Sequence, residues 1–203
     1  MNIFEFWQKF QFETKRTYSP DILISDFNTM TRHFSFILPL TFLMISCSAQ
    51  APLETVEKVD LKKYAGLWYE MCHMPARFLV GCNCITATYT LNPKGYVEVF
   101  NKCKKANGKW TSITGKAFTV DGSGNSKLKV QFFWPFRGDY YIIELADDYS
   151  YAVVGEPGRK YLWILSRTPQ MDPDLYKKLV NKCGNMGFVV ENLVVTSQEG
   201  CEE

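Results

Sequence analysis

Eight short segments with strand-like patterning follow one another along this chain of 203 residues, separated by turn-forming residues. The segments are rich in β-branched and aromatic residues, whereas the connections carry Gly, Asn, Asp and Pro. The predicted strands cover residues 66–74, 83–92, 96–103, 110–120, 126–134, 138–146, 149–155 and 160–167. This pattern predicts an all-β fold, an eight-stranded antiparallel up-and-down β-barrel that removes exposed edges by closing on itself. Such a barrel is just wide enough for one small ligand.

One C-terminal α-helix is predicted after the eighth strand. Asp172 is a suitable N-cap, and Pro173 suits the first helical turn. Apolar residues then recur with the helical period; they are Leu175, Leu179, Val180 and Cys183. A short final strand is predicted within residues 188–195, and a single helical turn capped by Asp60 is predicted before the barrel.

An apolar run before Cys47 indicates export. Arg32 and His33 precede this run, which is the shape of a secretory signal peptide and is shorter than the roughly 20 apolar residues that span a bilayer. The sequence Leu-Met-Ile-Ser-Cys at its end resembles the bacterial lipobox. The resemblance implies that acyl chains such as palmitate are attached to Cys47 and anchor the protein to a membrane. We expect the cell outer membrane, with the periplasmic side favoured.

The chain is predicted to consist of four segments. They are an incorrectly assigned extension over 1–29, a lipoprotein signal peptide over 30–46, a tether over 47–59 and a folded domain over 60–203. Signal peptides begin near their charged region, so Met30 is the expected start. A genuine N-terminal extension is the alternative.

Composition argues against several functions. The net charge is +2 without a basic stripe, so we expect no nucleic-acid partner. His33 and His73 are the only histidines in the sequence, which excludes a metal site built from many histidines. No Ser–His–Asp triad or paired-carboxylate spacing stands out. We therefore expect no metal, no cofactor and no catalytic residue, and a homodimer is left open.

Two motifs at the ends of the predicted barrel carry a family resemblance. Gly66-Leu-Trp68 opens the first strand, and Arg167 closes the eighth. Supporting stretches in the same order are Thr86–Leu91, Phe132–Phe136 and Tyr161–Pro169. Together they resemble the lipocalin family, and within it the group of bacterial outer-membrane lipoproteins and apolipoprotein D. The resemblance implies that Trp68 plugs one barrel end and that Arg167 lies over its indole, a contact worth ~0.5–2 kcal/mol.

The resemblance also implies that the barrel holds a fatty acid or lysophospholipid for lipid storage, transport or membrane maintenance. With Trp68 pointing inward, strand alternation predicts that Glu70 and Cys72 also face the cavity. Further candidates for the lining are Phe133, Tyr141 and Trp163. A buried carboxylate without a partner is costly, so we expect Glu70 to pair with a basic side chain near the barrel base, in preference to a ligand head group.

Two other functions compete with lipid binding. The first is a lipocalin-fold enzyme with Cys72 as an inward nucleophile. His73 would then point away from the cavity and could not activate the thiol, so we expect a protein that is not an enzyme. The second is pigment or haem carriage, which a single candidate histidine, His73, argues against.

Six cysteines remain once Cys47 is assigned to the anchor, and export permits disulfides. A hairpin turning at residues 92–95 would place Cys84 opposite Cys103, whereas a bulge would make Cys82 the partner. Cys183 and Cys201 are predicted to join the helix to the tail. Cys72 and one of the pair Cys82 and Cys84 would then stay free. A zinc site on the Cys-x-Cys spacing is the weaker alternative.

Overall fold

The computed structural model describes residues 51–201. The predicted extension over 1–29, the signal peptide over 30–46 and the lipid anchor Cys47 lie outside these residues. The strands are β1 (Gly66–His73), β2 (Cys82–Asn92), β3 (Tyr96–Lys105), β4 (Trp110–Thr119), β5 (Lys127–Gln131), β6 (Gly138–Leu145), β7 (Tyr151–Gly155), β8 (Leu162–Ser166) and β9 (Val194–Val195). The helices are α1 (Leu61–Tyr64) and α2 (Pro173–Asn185). The sequence patterning therefore predicted all eight barrel strands and both helices.

Strands β1 to β8 form a closed antiparallel barrel. Each strand pairs with the next, and β1 pairs with both β8 and β2, so the sheet returns to its starting strand. The predicted fold class is confirmed. The final strand is shorter than the predicted segment 188–195, because Val190–Asn192 forms a 3-10 turn and only Val194–Val195 pairs with β1.

The up-and-down topology gives the barrel two distinct ends. Four connections lie at one end, which we call the open end; they cover residues 74–81, 106–109, 132–137 and 156–161. Three connections lie at the other, closed end; they cover residues 93–95, 120–126 and 146–150. Helix α1 precedes β1 at the closed end, and the Asp60 carboxylate accepts hydrogen bonds from the backbone N–H groups of Lys62 and Lys63 as the predicted N-cap.

Helix α2 covers one side of the barrel wall. Asp172 caps it by accepting a hydrogen bond from the Leu175 backbone N–H at 2.9 Å. Leu179 and Cys183 on its inner face are buried against Leu162 and Ile164 of β8. This second apolar cluster lies outside the barrel, separate from the cluster inside it.

The predicted tether over 47–59 is wrong for its second half, because residues 53–59 pack on the barrel. Leu53 and Val59 are buried, and the Val59 backbone N–H donates to the Gly124 carbonyl at 2.8 Å. The Val56 N–H donates to the Ile142 carbonyl at 3.0 Å. Burial of these apolar side chains favours packing over a free linker, so residues 53–59 belong to the folded domain.

Candidate functional site

The closed end of the barrel is sealed by Trp68. Its indole is fully buried, and its Nε1–H donates to the Tyr64 carbonyl at 2.8 Å, which ties the plug to α1. The guanidinium carbon of Arg167 lies 3.8 Å from the Trp68 ring centroid. The structure thus places this pair as the family resemblance predicts.

Arg167 also binds the backbone around the plug. Its Nη1 donates to the Leu67 carbonyl at 2.8 Å, and its Nη2 donates to the Lys63 carbonyl at 2.7 Å. Because a guanidinium has five N–H donors in a fixed plane, one side chain satisfies several orphan carbonyls of the short helix at once.

Gly66 makes room for this arrangement. Its φ of +98° is one that L side chains rarely adopt, and a Cβ there would lie 3.3 Å from Nη1 of Arg167. The first residue of the Gly-x-Trp motif therefore has a steric reason to be glycine.

A cavity of about 640 Å³ opens from the plugged base toward the open end. This volume lies within the range of about 300–1,000 Å³ that is typical of small-molecule sites. Apolar and aromatic side chains dominate its wall; they include Leu79, Ile85, Ala87, Tyr89, Val99, Ile113, Val130, Phe132, Tyr140, Trp163 and Leu165. An apolar molecule of moderate size therefore fits the interior.

Three tyrosines join their hydroxyl groups at the base of this cavity. The Tyr140 hydroxyl lies 2.7 Å from that of Tyr64 and 2.8 Å from that of Tyr89. Burial raises the pKa of Tyr89 to about 12 and raises the pKa values of the other two well above the ordinary value. All three therefore stay neutral at physiological pH. The sequence pattern did not predict this cluster, although Tyr140 neighbours a predicted lining residue.

A buried polar cluster adjoins the cavity through Glu70. Oε1 of Glu70 lies 2.7 Å from Nδ1 of His73 and accepts a hydrogen bond from the Thr196 hydroxyl at 2.7 Å. Glu70 and His73 are both buried, and Glu70 lines the cavity. The expectation that Glu70 would find a basic partner agrees with this geometry, but the partner is His73, which was expected to point away.

Asn101 offers a further polar group to a ligand. Its Oδ1 is buried and has no hydrogen-bond partner, and its side chain lines the cavity. An unsatisfied buried carbonyl costs free energy until a donor reaches it. A hydroxyl or amine of a bound molecule would supply that donor.

Cys72 does not face the cavity, and this corrects the prediction. The register of β1 shifts between Glu70 and Cys72, a bulge that reverses the alternation of side chains. The thiol is buried in the cluster under α2 and interacts with Tyr176. Burial raises the pKa of Cys72 to about 12. A thiol in this place cannot act as the inward nucleophile of an enzyme.

Of the other three predicted lining residues, one lines the cavity and two do not. Trp163 lines the cavity, and its part in ligand binding stays a prediction. Phe133 and Tyr141 are not among the lining residues; their neighbours Phe132 and Tyr140 are. Tyr141 packs in the cluster under α2, because the inward positions of β6 are shifted by one residue from the predicted ones.

The disulfides differ from the main prediction. Cys103 is bonded to Cys82, the partner expected if a bulge were present, and the β2–β3 register does shift between Asn83 and Thr86. Cys84 is bonded to Cys201, which ties the C-terminal tail to β2. Cys183 is free and buried on the inner face of α2, so its predicted bond to Cys201 is wrong. Because both cysteines of the Cys-x-Cys pair are in disulfides, neither is free to bind zinc.

A closed eight-stranded barrel with a plugged base and an apolar cavity defines a small-molecule-binding β-barrel. The family model described as "Lipocalin-like domain" matches residues 59–198 of this chain. The chain belongs to the lipocalin family, whose members are generally binding proteins rather than enzymes, and the predicted resemblance is confirmed.

Among residues 51–201, no helix is both long and apolar enough to span a membrane.

Relatives come from plants, bacteria and animals. Temperature-induced lipocalin-1 of Arabidopsis thaliana is 41% identical over 155 residues, which cover 72% of this chain and 83% of the relative. The outer membrane lipoprotein Blc of Escherichia coli (strain K12) is 37% identical over 163 residues, which cover 78% and 92%. Apolipoprotein D of Bos taurus is 33% identical over 154 residues, which cover 72% and 81%.

Solved structures show the same fold at lower identity. Insecticyanin from the tobacco hornworm Manduca sexta matches with a TM-score of 0.61 and 19% identity, covering 76% of this chain and 89% of its own. Apocrustacyanin C2 matches with a TM-score of 0.58 and 18% identity, covering 70% and 81%. At this identity the likeness speaks for the barrel and not for a particular ligand.

Proposed function

We propose that this protein is a lipid-binding lipoprotein that holds one fatty acid or lysophospholipid in its barrel, for storage or transport of lipids in membrane maintenance. The observation that carries the proposal is the cavity of about 640 Å³ above the Trp68 plug, with its mainly apolar wall. Each CH₂ group transferred from water into such a wall contributes roughly 0.8 kcal/mol. A long acyl chain therefore binds well with few directed contacts.

The polar groups of the cavity favour an amphiphile over a pure hydrocarbon. The Tyr89 and Tyr140 hydroxyls near the base and Oδ1 of Asn101 on the wall give a bound molecule both donors and acceptors. Basic residues at the open end, among them Lys105 and Lys160, line the same cavity and would face an anionic head group. We infer an acyl chain inside the barrel and a polar head at its open end.

We further propose that Cys47 carries the lipid anchor and that the protein is attached to the outer membrane. The lipobox-like sequence that ends at Cys47 supports this. So do the names of the bacterial relatives, which are outer membrane lipoproteins. The same family membership supports a binding protein without enzymatic activity.

Lipid extraction from protein purified out of native membranes tests the proposal. We expect about one acyl lipid per chain, identified by mass spectrometry. Ala87→Trp would fill the cavity, which Ala87 lines, and should remove that lipid. Thr88→Trp, on the next residue of the same strand and outside the lining, is the matched control and should keep it. Lipid retained by both variants in equal amount would contradict binding inside the barrel.

A further inference from the structure

The N-terminal segment of the described chain runs along the barrel from the open end to the closed end. The Ala51 carbonyl accepts a hydrogen bond at 2.6 Å from Nη2 of Arg159, which lies in the open-end connection between β7 and β8. Leu53 lies next to Gly155, the last residue of β7. Val59 then binds Gly124 at the closed end. Traced backwards, the chain leaves the barrel at its open end.

This direction limits where the proposed anchor lies. Cys47 precedes Ala51 by four residues, and four extended residues span at most roughly 14 Å. An acylated Cys47 is therefore held within that distance of Ala51, which the Arg159 side chain contacts. The bilayer that receives its acyl chains must lie beside the open end of the barrel and far from the Trp68 plug.

The open end also exposes two large apolar side chains. Trp134 is 86% exposed in the connection between β5 and β6, and Val80 is 73% exposed in the connection between β1 and β2. Val80 directly follows Leu79, and Trp134 comes two residues after Phe132; both Leu79 and Phe132 line the cavity. A tryptophan at this exposure is costly in water, and tryptophan is enriched at membrane–water interfaces.

The connections between strands differ in charge at the two ends of the barrel, although α1 adds Lys62 and Lys63 to the closed end. The four open-end connections contain five basic side chains and one acidic one, Glu156. The basic side chains are Arg77, Lys109, Arg137, Arg159 and Lys160. The three closed-end connections contain three acidic side chains and one basic one, Lys94. Basic groups beside exposed apolar ones match a surface of anionic lipid head groups.

We propose that the open end is a membrane-docking surface formed by Trp134, Val80 and the basic connections around them, and that the cavity opens directly onto the bilayer that holds the anchor. Trp134 and Val80 enter the interfacial region, while exposed basic side chains such as Lys109 and Lys160 lie among the head groups. A ligand then passes between bilayer and cavity without crossing water. This inference rests on the proposed anchor and ligand class for its purpose, but its geometry is testable separately.

Fluorescence quenching tests the orientation. The full exported protein is bound to vesicles of phosphatidylethanolamine and phosphatidylglycerol whose acyl chains are brominated, because bromine quenches tryptophan only within contact range. We expect bromine-dependent quenching in the wild type that is mostly lost in Trp134→Phe. The matched reporter is Leu91→Trp in the Trp134→Phe background, since Leu91 is 38% exposed near the closed end and should stay unquenched.

Two results would overturn the proposal. One is equal quenching in the wild type and in Trp134→Phe. The other is quenching of the Leu91→Trp reporter, which would place the closed end at the membrane. Failure of the proposed function shows itself elsewhere: mass spectrometry of the peptide that contains Cys47 reports the anchor, and extracted lipid reports the ligand. Trp134-specific quenching supports docking whatever those two measurements give, and its absence rejects docking in the same way.

Discussion

The guanidinium of Arg167 covers the indole of Trp68 at 3.8 Å while the same group donates hydrogen bonds to the carbonyls of Lys63 and Leu67. One side chain thus joins the last barrel strand, the first barrel strand and α1. The closed end depends on this junction, because β1 and α1 meet there and Tyr64 of the tyrosine cluster packs against Trp68.

Replacing Arg167 should destabilise the whole domain. We expect Arg167→Ala to lower the free energy of unfolding by about 2–4 kcal/mol, because it removes the stacked cation and leaves several backbone carbonyls without donors. Denaturant unfolding followed by circular dichroism measures this. Arg137→Ala is the matched control, since the Arg137 guanidinium lies 4.3 Å from the Phe118 ring but on an exposed connection; a cost under about 1 kcal/mol is expected there. Equal losses in the two variants would argue against the junction.

Gly66→Ala should displace Arg167. The substitution adds a Cβ 3.3 Å from Nη1 at a φ of +98°, so both backbone strain and crowding oppose it. Gly95→Ala has a φ of +84° with no atom within 4 Å of the added Cβ, and therefore measures the strain alone. We expect Gly66→Ala to lower the melting temperature further than Gly95→Ala. Equal decreases in the melting temperatures of the two variants would show that Arg167 moves aside without a loss of stability.

The two free thiols should be inert in the folded protein. Burial raises the pKa values of Cys72 and Cys183 to about 12, so almost no thiolate forms at neutral pH. Iodoacetamide at pH 8 should leave both unmodified until denaturant is added, after which both become alkylated. Peptide mass mapping makes the measurement. Rapid alkylation of Cys72 in the native protein would restore the nucleophile hypothesis.

The tyrosine cluster predicts how stability depends on alkaline pH. The pKa of Tyr89 rises from 10.0 to about 12 on folding, so the folded state keeps a proton that the unfolded state loses. Its contribution to stability is complete below pH 10 and is lost as the pH rises to about 12. Absorbance titration should show some tyrosines that ionise only well above pH 10. The number of such tyrosines should be smaller in Tyr89→Phe. Ionisation of every tyrosine near pH 10, with circular dichroism still native, would reject this.

The sequence predicted the barrel because its strands alternate clearly where only one face is buried. The prediction of side-chain direction failed where both faces of a strand are covered. From Glu70 to His73 the strand is buried on both sides, by the cavity and tail on one and by the cluster under α2 on the other, so the alternation that reveals orientation disappears. The bulge there, which no residue type announces, exchanges the directions of Cys72 and His73.

The same limit explains the cysteines. Cys84 adopts a φ of 53°, and the register shift beside it decides that Cys82 and not Cys84 reaches Cys103. Cys201 meets Cys84 only because the tail returns past β1 to β2, where the Cys84 N–H donates to the Ser197 carbonyl at 2.8 Å. The local residue pattern cannot predict a disulfide between two cysteines that are 117 residues apart in the sequence.

Equilibrium titration of delipidated protein with a lysophospholipid or a long-chain fatty acid tests the central claim most directly. We predict one bound molecule per chain in the wild type and in Thr88→Trp, with binding weakened at least roughly tenfold in Ala87→Trp, because an indole there displaces part of the acyl chain from the wall. Undiminished binding by Ala87→Trp, or no saturable binding by the wild type, would contradict a lipid held inside the barrel.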